Sequence, residues 1–465
     1  MSGRSTSRRE FLKAAAAGAG AGVLATSGLG AAAREAHAVS AVRTPAFAPS
    51  GTLWGLQYEP HVQAYKRLAA LFKKETGATI AVQPQAWPLD TKIIAALAAG
   101  TQPDVACILG SASVALYIHK ALVPVQHAVF AARNISMSKT FLGDSLPAFS
   151  WKGQILGVPV ESNQVGSMVN IPAEDVRAAG LAKQTPPLNG KIYWDSYQTM
   201  WDVSKALITK RGPKVRRWGI SSEGWEMTSL TGIMRSLGTP WWDLEAKKFN
   251  FASPAGIHAL QLLVETPVKM GIETELSDTG INAALQGKVA IVRGNGTPAT
   301  SEGLKLGYHY ELAGAPRVNP AVDPLFVGEG GWGFAALQRS KNPNLALSFL
   351  GMMASDAGQL EYAKIYGGLL GIAWAPMATD YRARFADSSP SSSIVKAAHV
   401  YNEMAKRTVY VGEQFGYYQI IGGYIGNAAQ AIREGKKTAA QAAATIQKQT
   451  EAQYKQYLLD VQHAG

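Results

Sequence analysis

The sequence predicts an α/β protein, and three observations indicate this class. Short apolar runs typical of strands alternate with segments whose apolar residues recur every three or four positions, as on one face of a helix. Residues 104–109 form a short apolar run, which is typical of a strand buried on both faces in a parallel sheet. Glycine follows the helical segments at 77 and 100, where a helix C-terminus is expected. Strand alternating with helix favours sheets covered by helices.

The first part of this alternation is predicted over residues 52–119. In chain order we expect a strand at 52–56, a break at Pro60, a helix at 62–76, a strand at 79–82, a helix at 91–99 capped by Asp90, a strand at 104–109, a loop at Gly110 and Ser111, and a helix at 114–119.

The later elements follow the same pattern. We expect a helix over 193–207, a helix start at Ser253 with Pro254 in its first turn, strands at 288–292 and 334–337, a helix at 345–353, and a mostly helical segment over 424–458. Residues 388–393 are five serines and one proline, and they are predicted to be a linker.

Composition excludes several classes of protein. The chain has 465 residues, which suggests about two to four domains. Hydrophobic residues make up 47% and charged residues 17%, which excludes disorder as the dominant state. The lone Cys107 excludes a disulfide framework and a multi-cysteine metal site. Outside the N-terminus no apolar run is long enough to cross a bilayer, so an integral membrane transporter is excluded.

The net charge of +12 does not by itself indicate nucleic-acid binding. Residues 1–38 contribute +3 of it, from five Arg or Lys and two Asp or Glu. The densest basic cluster lies between 205 and 217, and no nucleic-acid motif accompanies it. We interpret this cluster as a solvated helix end and turn, and we expect no nucleic-acid partner.

No motif indicates a cofactor or a metal site. Gly328, Gly330 and Gly333 fit the spacing of a dinucleotide fingerprint, but strand-like residues follow them where that motif needs a helix. The eight histidines are scattered without a pair at ligand spacing, and no G-x-S-x-G elbow is present.

The N-terminus predicts an export signal. Residues 7–13 read SRREFLK, which is similar to the twin-arginine pattern, and a weakly apolar segment follows to about Gly30. Cleavage sites of the A-x-A type stand at 36–38 and 31–33. We therefore expect a twin-arginine signal at 1–38, a linker at 39–50, and a periplasmic mature protein. The cleavage region contains no cysteine, so we expect the mature protein to lack a lipid anchor.

Several phrases occur in an order that is typical of one protein family. Leu53-Trp54-Gly55 ends the first strand, and Thr76-Gly77 precedes the second. The remaining phrases are Ala99-Gly100-Thr101-Gln102-Pro103-Asp104-Val105, Gly157-Val158-Pro159, Gly287-Lys288-Val289-Ala290 and Gly330-Gly331-Trp332-Gly333. Together they resemble the family 1 extracellular solute-binding proteins of ABC importers, which include the maltose- and oligosaccharide-binding proteins.

This resemblance implies two α/β lobes that close on a solute by a hinge motion, each with a mostly parallel sheet flanked by helices. The first lobe is expected at 51–160 and 331–388, and the second at 161–330 and 394–465. The chain is expected to cross between the lobes about three times, near 160–165, 327–333 and 388–393. Ligands of such folds bind at the carboxyl ends of the strands.

Aromatic faces suit the C–H faces of sugar rings, while carboxylates and amides suit their hydroxyl groups. The residues of these types at the expected loops, together with one serine, form the candidate site: Tyr58, Glu59, Ser111, Glu161, Asn163, Trp225, Asn295, Glu329, Trp332 and Tyr418.

The sequence positions of three candidates give additional reasons for selecting or questioning them. Trp332 stands in a glycine-rich strand entry with little local packing reason for a large side chain. Tyr418 resembles the aromatic position that maltose-binding relatives use for stacking, and it precedes the last helical segment. Asn295 stands where the family often has a tryptophan. Core packing is the alternative for each aromatic residue, and an exposed loop position is the alternative for Glu59, Glu161 and Glu329.

The predicted function is a non-enzymatic receptor that binds a sugar and delivers it to an ABC permease. We expect a monomer, with the twin-arginine machinery as partner of the precursor. One alternative is an exported glycoside hydrolase that uses two carboxylates such as Glu161 and Glu329. Another is a receptor for a polyamine, a phosphodiester or a ferric ion, and the adjacent Tyr417 and Tyr418 keep the ferric option open.

Overall fold

The computed structural model describes residues 49–164, 166–222, 224–274, 280–294, 310–364, 373–375, 392–412, 415 and 417–464. The predicted signal at 1–38, Asn295 and residues 388–391 lie outside these ranges. Within them, two five-stranded sheets flanked by helices form two lobes, which confirms the predicted α/β class.

The first sheet has the strand order β2-β1-β3-β15-β6. Its strands are β1 (Ser50–Leu56), β2 (Thr79–Gln85), β3 (Val105–Leu109), β6 (Val158–Pro159) and β15 (Trp332–Ala336). β1 runs parallel to β2 and β3, while β15 runs antiparallel to β3 and β6. The second sheet has the order β13-β7-β12-β9-β8. Its strands are β7 (Met168–Pro172), β8 (Thr209–Arg211), β9 (Lys214–Ser221), β12 (Val289–Gly294) and β13 (Tyr310–Gly314).

The prediction that each sheet is mostly parallel holds for the first sheet, where β1, β2, β3 and β6 share one direction and β15 is reversed, but it was wrong for the second. In the second sheet β12 and β9 are parallel, while β7 and β8 run antiparallel to their neighbours. The reason is the route of the chain. β7 and β15 both enter their sheets directly from a crossing between the lobes, and such a strand starts at the edge where the parallel strands end. Trp332, the first residue of β15, therefore lies opposite Leu109, the last residue of β3.

The remaining strands form small two-stranded units: β4 (Ser150–Trp151) with β5 (Gln154–Ile155), β10 (Trp242–Asp243) with β11 (Lys248–Phe249), and β14 (Phe326–Gly328) with β16 (Thr408–Tyr410). The helices are α1 (Glu59–Thr76), α2 (Leu89–Ala99), α3 (Gly110–Ile118), α4 (Met137–Thr140), α5 (Ser145–Ala148), α6 (Ala173–Ala178), α7 (Tyr197–Ala206), α8 (Glu226–Ser236), α9 (Pro254–Leu260), α10 (Thr266–Lys269), α11 (Gly280–Leu285), α12 (Pro343–Met353), α13 (Asp356–Ala363), α14 (Ser392–Ala405), α15 (Tyr418–Arg433) and α16 (Ala439–Ala464).

Local signals explain several helix ends. Gly77 and Gly100 adopt the left-handed conformation that ends α1 and α2, as predicted. The Ser253 side chain accepts a hydrogen bond from the Gly256 backbone and caps α9. The prediction for Asp90 was wrong, because Pro88 is the N-cap of α2 and Asp90 lies in its first turn. Pro60 likewise lies within the first turn of α1, where its missing N–H group is tolerated.

Four other expectations need correction. Gly110 and Ser111 form the first turn of α3 and not a loop, because β3 runs directly into that helix. The basic residues at 210–216 lie on the exposed hairpin of β8 and β9, so the cluster is a helix end and a hairpin. Ser392 and Ser393 belong to α14, so that part of the predicted linker is helical. Ser50, assigned to the first linker, already pairs in β1.

The chain crosses between the sheets at defined places. It leaves β6 at Pro159 and enters β7 at Met168, and it leaves β14 at Gly328 and enters β15 at Trp332. α13 packs against α1 beside the first sheet, whereas α14 packs against β13 of the second, so the chain also crosses between residues 364 and 392. Helix α15, which precedes the last helix α16, packs against α8 and also contacts α3, which places it against both lobes.

Candidate functional site

Several predicted site residues meet where the crossings reach the first sheet. Tyr58 follows β1 at the N-cap of α1, and Ser111 follows β3 in the first turn of α3. Trp332 lies opposite the end of β3. The backbone N–H of Glu161 donates to the Trp332 carbonyl oxygen at 3.1 Å. The sheet topology thus gathers Tyr58, Ser111, Glu161 and Trp332 along one edge, as expected for a binding cleft.

An aromatic group forms at this edge. The Trp332 ring lies 5.1 Å from the ring of His61, which in turn lies 5.6 Å from the ring of Tyr58. His61 is 2% exposed, and burial lowers its pKa to about 3, so the imidazole is neutral at physiological pH. Trp332 therefore packs against a buried side chain, and the expectation of little local packing at this position was wrong. Its indole nevertheless remains partly exposed, which leaves it accessible to a solute.

Glu161 lies behind this aromatic group. It is 7% exposed, and its Oε1 accepts a hydrogen bond from the Tyr362 hydroxyl at 2.9 Å. Burial raises the pKa of its carboxyl group to about 7. The Tyr362 ring also makes an edge contact with His61 at 6.2 Å. Glu161 therefore ties the first crossing to α13 and supports the position of the aromatic group.

Asp144 holds the first two crossings together. Its buried carboxylate accepts hydrogen bonds from the Ser162 hydroxyl at 2.7 Å, the Asn163 backbone N–H at 3.3 Å and the backbone N–H of Gly330. The Asn163 carbonyl oxygen also accepts from the Glu329 backbone N–H at 3.1 Å. Burial raises the pKa of Asp144 to about 6 even though these donors oppose the shift. The predicted Asn163 thus contributes its backbone to the junction of two crossings.

Glu329 and Tyr418 were both predicted, and the structure brings them together. The Tyr418 hydroxyl donates to Glu329 Oε1 at 2.9 Å. Tyr418 is buried as the first residue of α15, while Glu329 is partly exposed between β14 and β15. Burial raises the pKa of the Glu329 carboxyl group to about 7. Near neutral pH this group therefore exists in both protonation states and offers both a donor and an acceptor.

A second contact joins α15 to the first lobe. Gln419 Nε2 donates to Ser111 Oγ at 2.6 Å, and Ser111 is 1% exposed. Because α15 packs mainly on helices of the second lobe, this hydrogen bond spans the two lobes. Gln419 was not predicted as a site residue.

The other candidates take separate positions. Trp225 lies directly before α8 and packs against the end of β12, where a Cβ added to Gly294 would lie 2.7 Å from Trp225 Cδ1. Glu59 is exposed on the first turn of α1 and accepts from Gln63 Nε2, so it fits the alternative of a surface acid. Asn295 lies outside the described residues.

The family is established by comparison with known sequences. The profile of the bacterial extracellular solute-binding protein family matches residues 67–373, which is more than half of the chain. The chain belongs to this family. This match confirms the predicted resemblance, and it confirms that the protein functions as a solute-binding protein. A search of curated protein sequences finds no match.

Solved structures share the fold of this solute-binding protein. An ABC substrate-binding protein of Listeria monocytogenes in complex with cycloalternan matches with a TM-score of 0.71 and 14% identity, covering 87% of this chain and 99% of that one. A solute-binding protein of Thermotoga lettingae bound with α-D-tagatose matches with a TM-score of 0.69 and 18% identity, covering 86% and 98%. The GacH receptor of Streptomyces glaucescens, solved with acarbose, gives 0.68 and 17%, covering 88% and 98%.

Sequence reasoning missed a tryptophan in this solute-binding protein. Trp87 is 53% exposed, which is unusual for the largest apolar side chain. It follows the carboxyl end of β2, and β2 is parallel to β1, so Trp87 lies at the same edge of the sheet as Tyr58. The rule that selected Tyr58 also selects the residue two positions beyond the end of β2, so this signal was present in the sequence.

The described residues contain neither a helix suited to span a membrane nor a side-chain cluster suited to hold a metal ion. Among these residues, no helix combines the length and the apolar character needed to cross a bilayer. Within the same ranges, no group of three or more His, Cys, Asp and Glu side chains is arranged to hold a metal ion.

Proposed function

We propose that this solute-binding protein is the receptor of an ABC importer, and that it binds a sugar or oligosaccharide between its lobes and delivers it to the membrane permease. The observation that carries this proposal is that one four-residue segment, 329–332, contains both an accessible tryptophan and a carboxyl group held by a hydrogen bond. Trp332 remains partly exposed beside His61, and Glu329 remains partly exposed while Tyr418 holds its Oε1.

The chemistry of this pair suits a sugar. An indole covers the C–H face of a pyranose ring, and a carboxyl group near its pKa accepts from one hydroxyl group or donates to another. Cycloalternan, α-D-tagatose and acarbose in the three similar structures are all carbohydrates, which supports a carbohydrate for this chain as well.

A thermal-shift screen of the mature protein tests this proposal. The panel contains maltotriose, acarbose and tagatose, with putrescine, glycerophosphocholine and ferric citrate as representatives of the other solute classes. A solute at about 100 times its Kd stabilises the folded state by about 2.7 kcal/mol. We expect a carbohydrate to raise Tm and the other compounds to leave it unchanged. A shift with a non-sugar solute only would overturn the carbohydrate assignment.

We infer that the protein does not turn over its solute. The hydrolase alternative needs Glu161 and Glu329 on opposite sides of a glycosidic bond. Glu161 is buried, and its Oε1 already accepts from Tyr362, so it is poorly placed to reach a bond in the cleft. Release of reducing sugar by the purified protein, together with its loss in a Glu161→Gln variant, would establish the hydrolase instead.

We further propose that the twin-arginine machinery exports the precursor and that the mature protein acts in the periplasm as a monomer without a lipid anchor. SRREFLK at residues 7–13 supports the export route. We assign residues 51–160 and 331–388 to the first lobe and 161–330 with the C-terminal segment to the second. Since α14 packs on β13, that segment is best started at Ser392 instead of residue 394.

A further inference from the structure

A cavity of about 510 Å³ lies at the outer edge of the second sheet. Its wall includes Glu311 of β13, the edge strand, and residues of α6 and α14. Glu311 pairs with Ile171, near the C-terminal end of β7. The first crossing enters β7 at its other end, at Met168. The cavity is therefore at the opposite end of β7 from the proposed sugar cleft, and it is large enough for a small ligand.

The lining of this cavity is amphipathic. Leu188, Ile192 and Val400 provide apolar walls, while Arg177 and Lys396 provide cationic groups from opposite helices. The side chains of Arg177 and Lys396 are 51% and 57% exposed, so their charged ends are in contact with solvent. An apolar chamber with cations that reach solvent matches a ligand with an apolar body and an anionic head.

Glu311 lies near both cations but forms a hydrogen bond with neither. Its side chain is 7% exposed, and its Oε1 lies 3.9 Å from Arg177 Nη2 and 3.7 Å from Lys396 Nζ. Both distances exceed the hydrogen-bond range, so the cations keep N–H donors for another acceptor. Lys191, a third lining cation, is paired with Asp195 at 2.6 Å. Arg177 and Lys396 against Glu311 therefore leave a net charge of +1.

We propose that this cavity binds a small amphipathic monoanion, with its apolar body against Leu188, Ile192 and Val400 and its anionic head at Arg177 and Lys396. The site is independent of the sugar cleft, and it is occupied by a free carboxylate amphiphile or by the headgroup region of an anionic lipid. Both sources share the same chemistry, and the experiment separates them.

Octanoate is the probe, and calorimetric titration of the mature protein is the measurement. We expect saturable binding of octanoate, with octanamide (no charge) and acetate (no apolar body) weaker by about tenfold or more. The double variant Arg177→Gln, Lys396→Gln should weaken octanoate binding by about tenfold. Lys183→Gln should not, because Lys183 is an exposed cation on the short 3-10 helix Ala182–Gln184 beside the cavity. Leu188→Asn is a second variant that should weaken octanoate through the apolar wall.

Melting curves of each variant establish that it is folded, and titration with the sugar identified above should give the wild-type affinity in the double variant. Sedimentation with phosphatidylglycerol vesicles, compared with phosphatidylcholine vesicles, tests the lipid source. If the protein sediments only with phosphatidylglycerol and the double variant does not, the ligand is an anionic lipid. If the protein binds octanoate but does not sediment with phosphatidylglycerol, the ligand is a free anion. Absence of saturable octanoate binding, or equal binding by the folded double variant, overturns the proposal whatever the sugar result.

Discussion

The hydroxyl group of Tyr418 lies 2.9 Å from Glu329 Oε1 and donates a hydrogen bond to it across a separation of 89 residues. This bond fixes a partly exposed carboxyl group of the second crossing against the start of α15. The next residue, Gln419, donates to Ser111 in the first lobe at 2.6 Å. The start of α15 therefore contacts the crossing and the far lobe at once, and we expect it to sense whether the cleft is closed on a solute.

The first prediction concerns this bond. Tyr418→Phe removes the donor that orients Glu329, so sugar affinity should fall by about 0.5–1.5 kcal/mol, the usual net contribution of one hydrogen bond. That corresponds to a roughly two- to tenfold higher Kd by calorimetry. Tyr424→Phe is the matched control. Tyr424 also lies on α15, but its hydroxyl donates to Gln453 Oε1 of α16 at 3.3 Å and not to Glu329. Equal affinities of the Tyr418 and Tyr424 variants would contradict the orienting role.

The second prediction concerns pH. Burial raises the pKa of Glu161 from 4.5 to about 7, so the folded protein binds a proton more tightly there than the unfolded chain does. The free energy of unfolding contributed by this group therefore falls as pH rises from about 4.5 through about 7. Glu161→Gln, which mimics the protonated form, should be more stable than wild type near pH 8. It should be about equal to wild type near pH 4.5.

Urea denaturation of both proteins across this range measures the effect. The difference in the free energy of unfolding should grow by at most about 1.4 kcal/mol per pH unit. His61 has the opposite sign: burial lowers its pKa to about 3, so its contribution is lost as pH falls below about 6.5. Since His61 is present in both proteins, the difference between them isolates Glu161. A difference that does not change with pH would exclude a raised pKa at Glu161.

The third prediction concerns the packing of the second crossing. A Cβ at Gly328 would lie 2.1 Å from Asp144 Oδ2 and 2.2 Å from the Asn163 carbonyl oxygen. Gly328→Ala should therefore lower the free energy of unfolding by about 1–3 kcal/mol through overpacking. Gly426→Ala within α15 meets no atom within 4 Å and should raise it by about 0.5–1 kcal/mol. Denaturant melts of both variants give these values, and a neutral Gly328 variant would mean that the junction is loosely packed.

The fourth prediction concerns export. If SRREFLK at residues 7–13 directs the twin-arginine route, replacing Arg8 and Arg9 with lysine should leave uncleaved precursor in the cytoplasm. Cell fractionation and immunoblotting compare this variant with Arg4→Lys, which lies outside the motif. Normal export of the double variant would remove the twin-arginine assignment.

Local features of the fold were predictable from the sequence because their causes are local. Gly77 and Gly100 end helices since a left-handed residue is needed there, and Ser253 caps a helix through a residue three positions on. Strand direction was not predictable in this way. The antiparallel pairing of β15 with β3 depends on the crossing between the lobes, a relationship between segments more than 200 residues apart.

The site shows the same division. Family motifs and loop positions selected Glu329 and Trp332, which lie at the second crossing, and Tyr418, which begins α15. They did not identify the residues that hold the candidates in place. Tyr362 is 201 residues from Glu161, and Gln419 is 308 residues from Ser111. Such pairs cannot be predicted from periodicity or motifs, because the two residues meet only when the two lobes and α15 have assembled.

The most direct test of the account is calorimetric titration of Trp332→Ala with the sugar selected by the thermal-shift screen. Loss of the stacking face should weaken binding by about 1–3 kcal/mol, or ~5- to 150-fold in Kd. Trp242→Phe is the control, because Trp242 is buried against Phe249 at 4.6 Å and should change stability without changing affinity. An affinity of Trp332→Ala within about twofold of wild type, accompanied by a lowered Tm, would show that Trp332 only packs against His61, and would contradict the account.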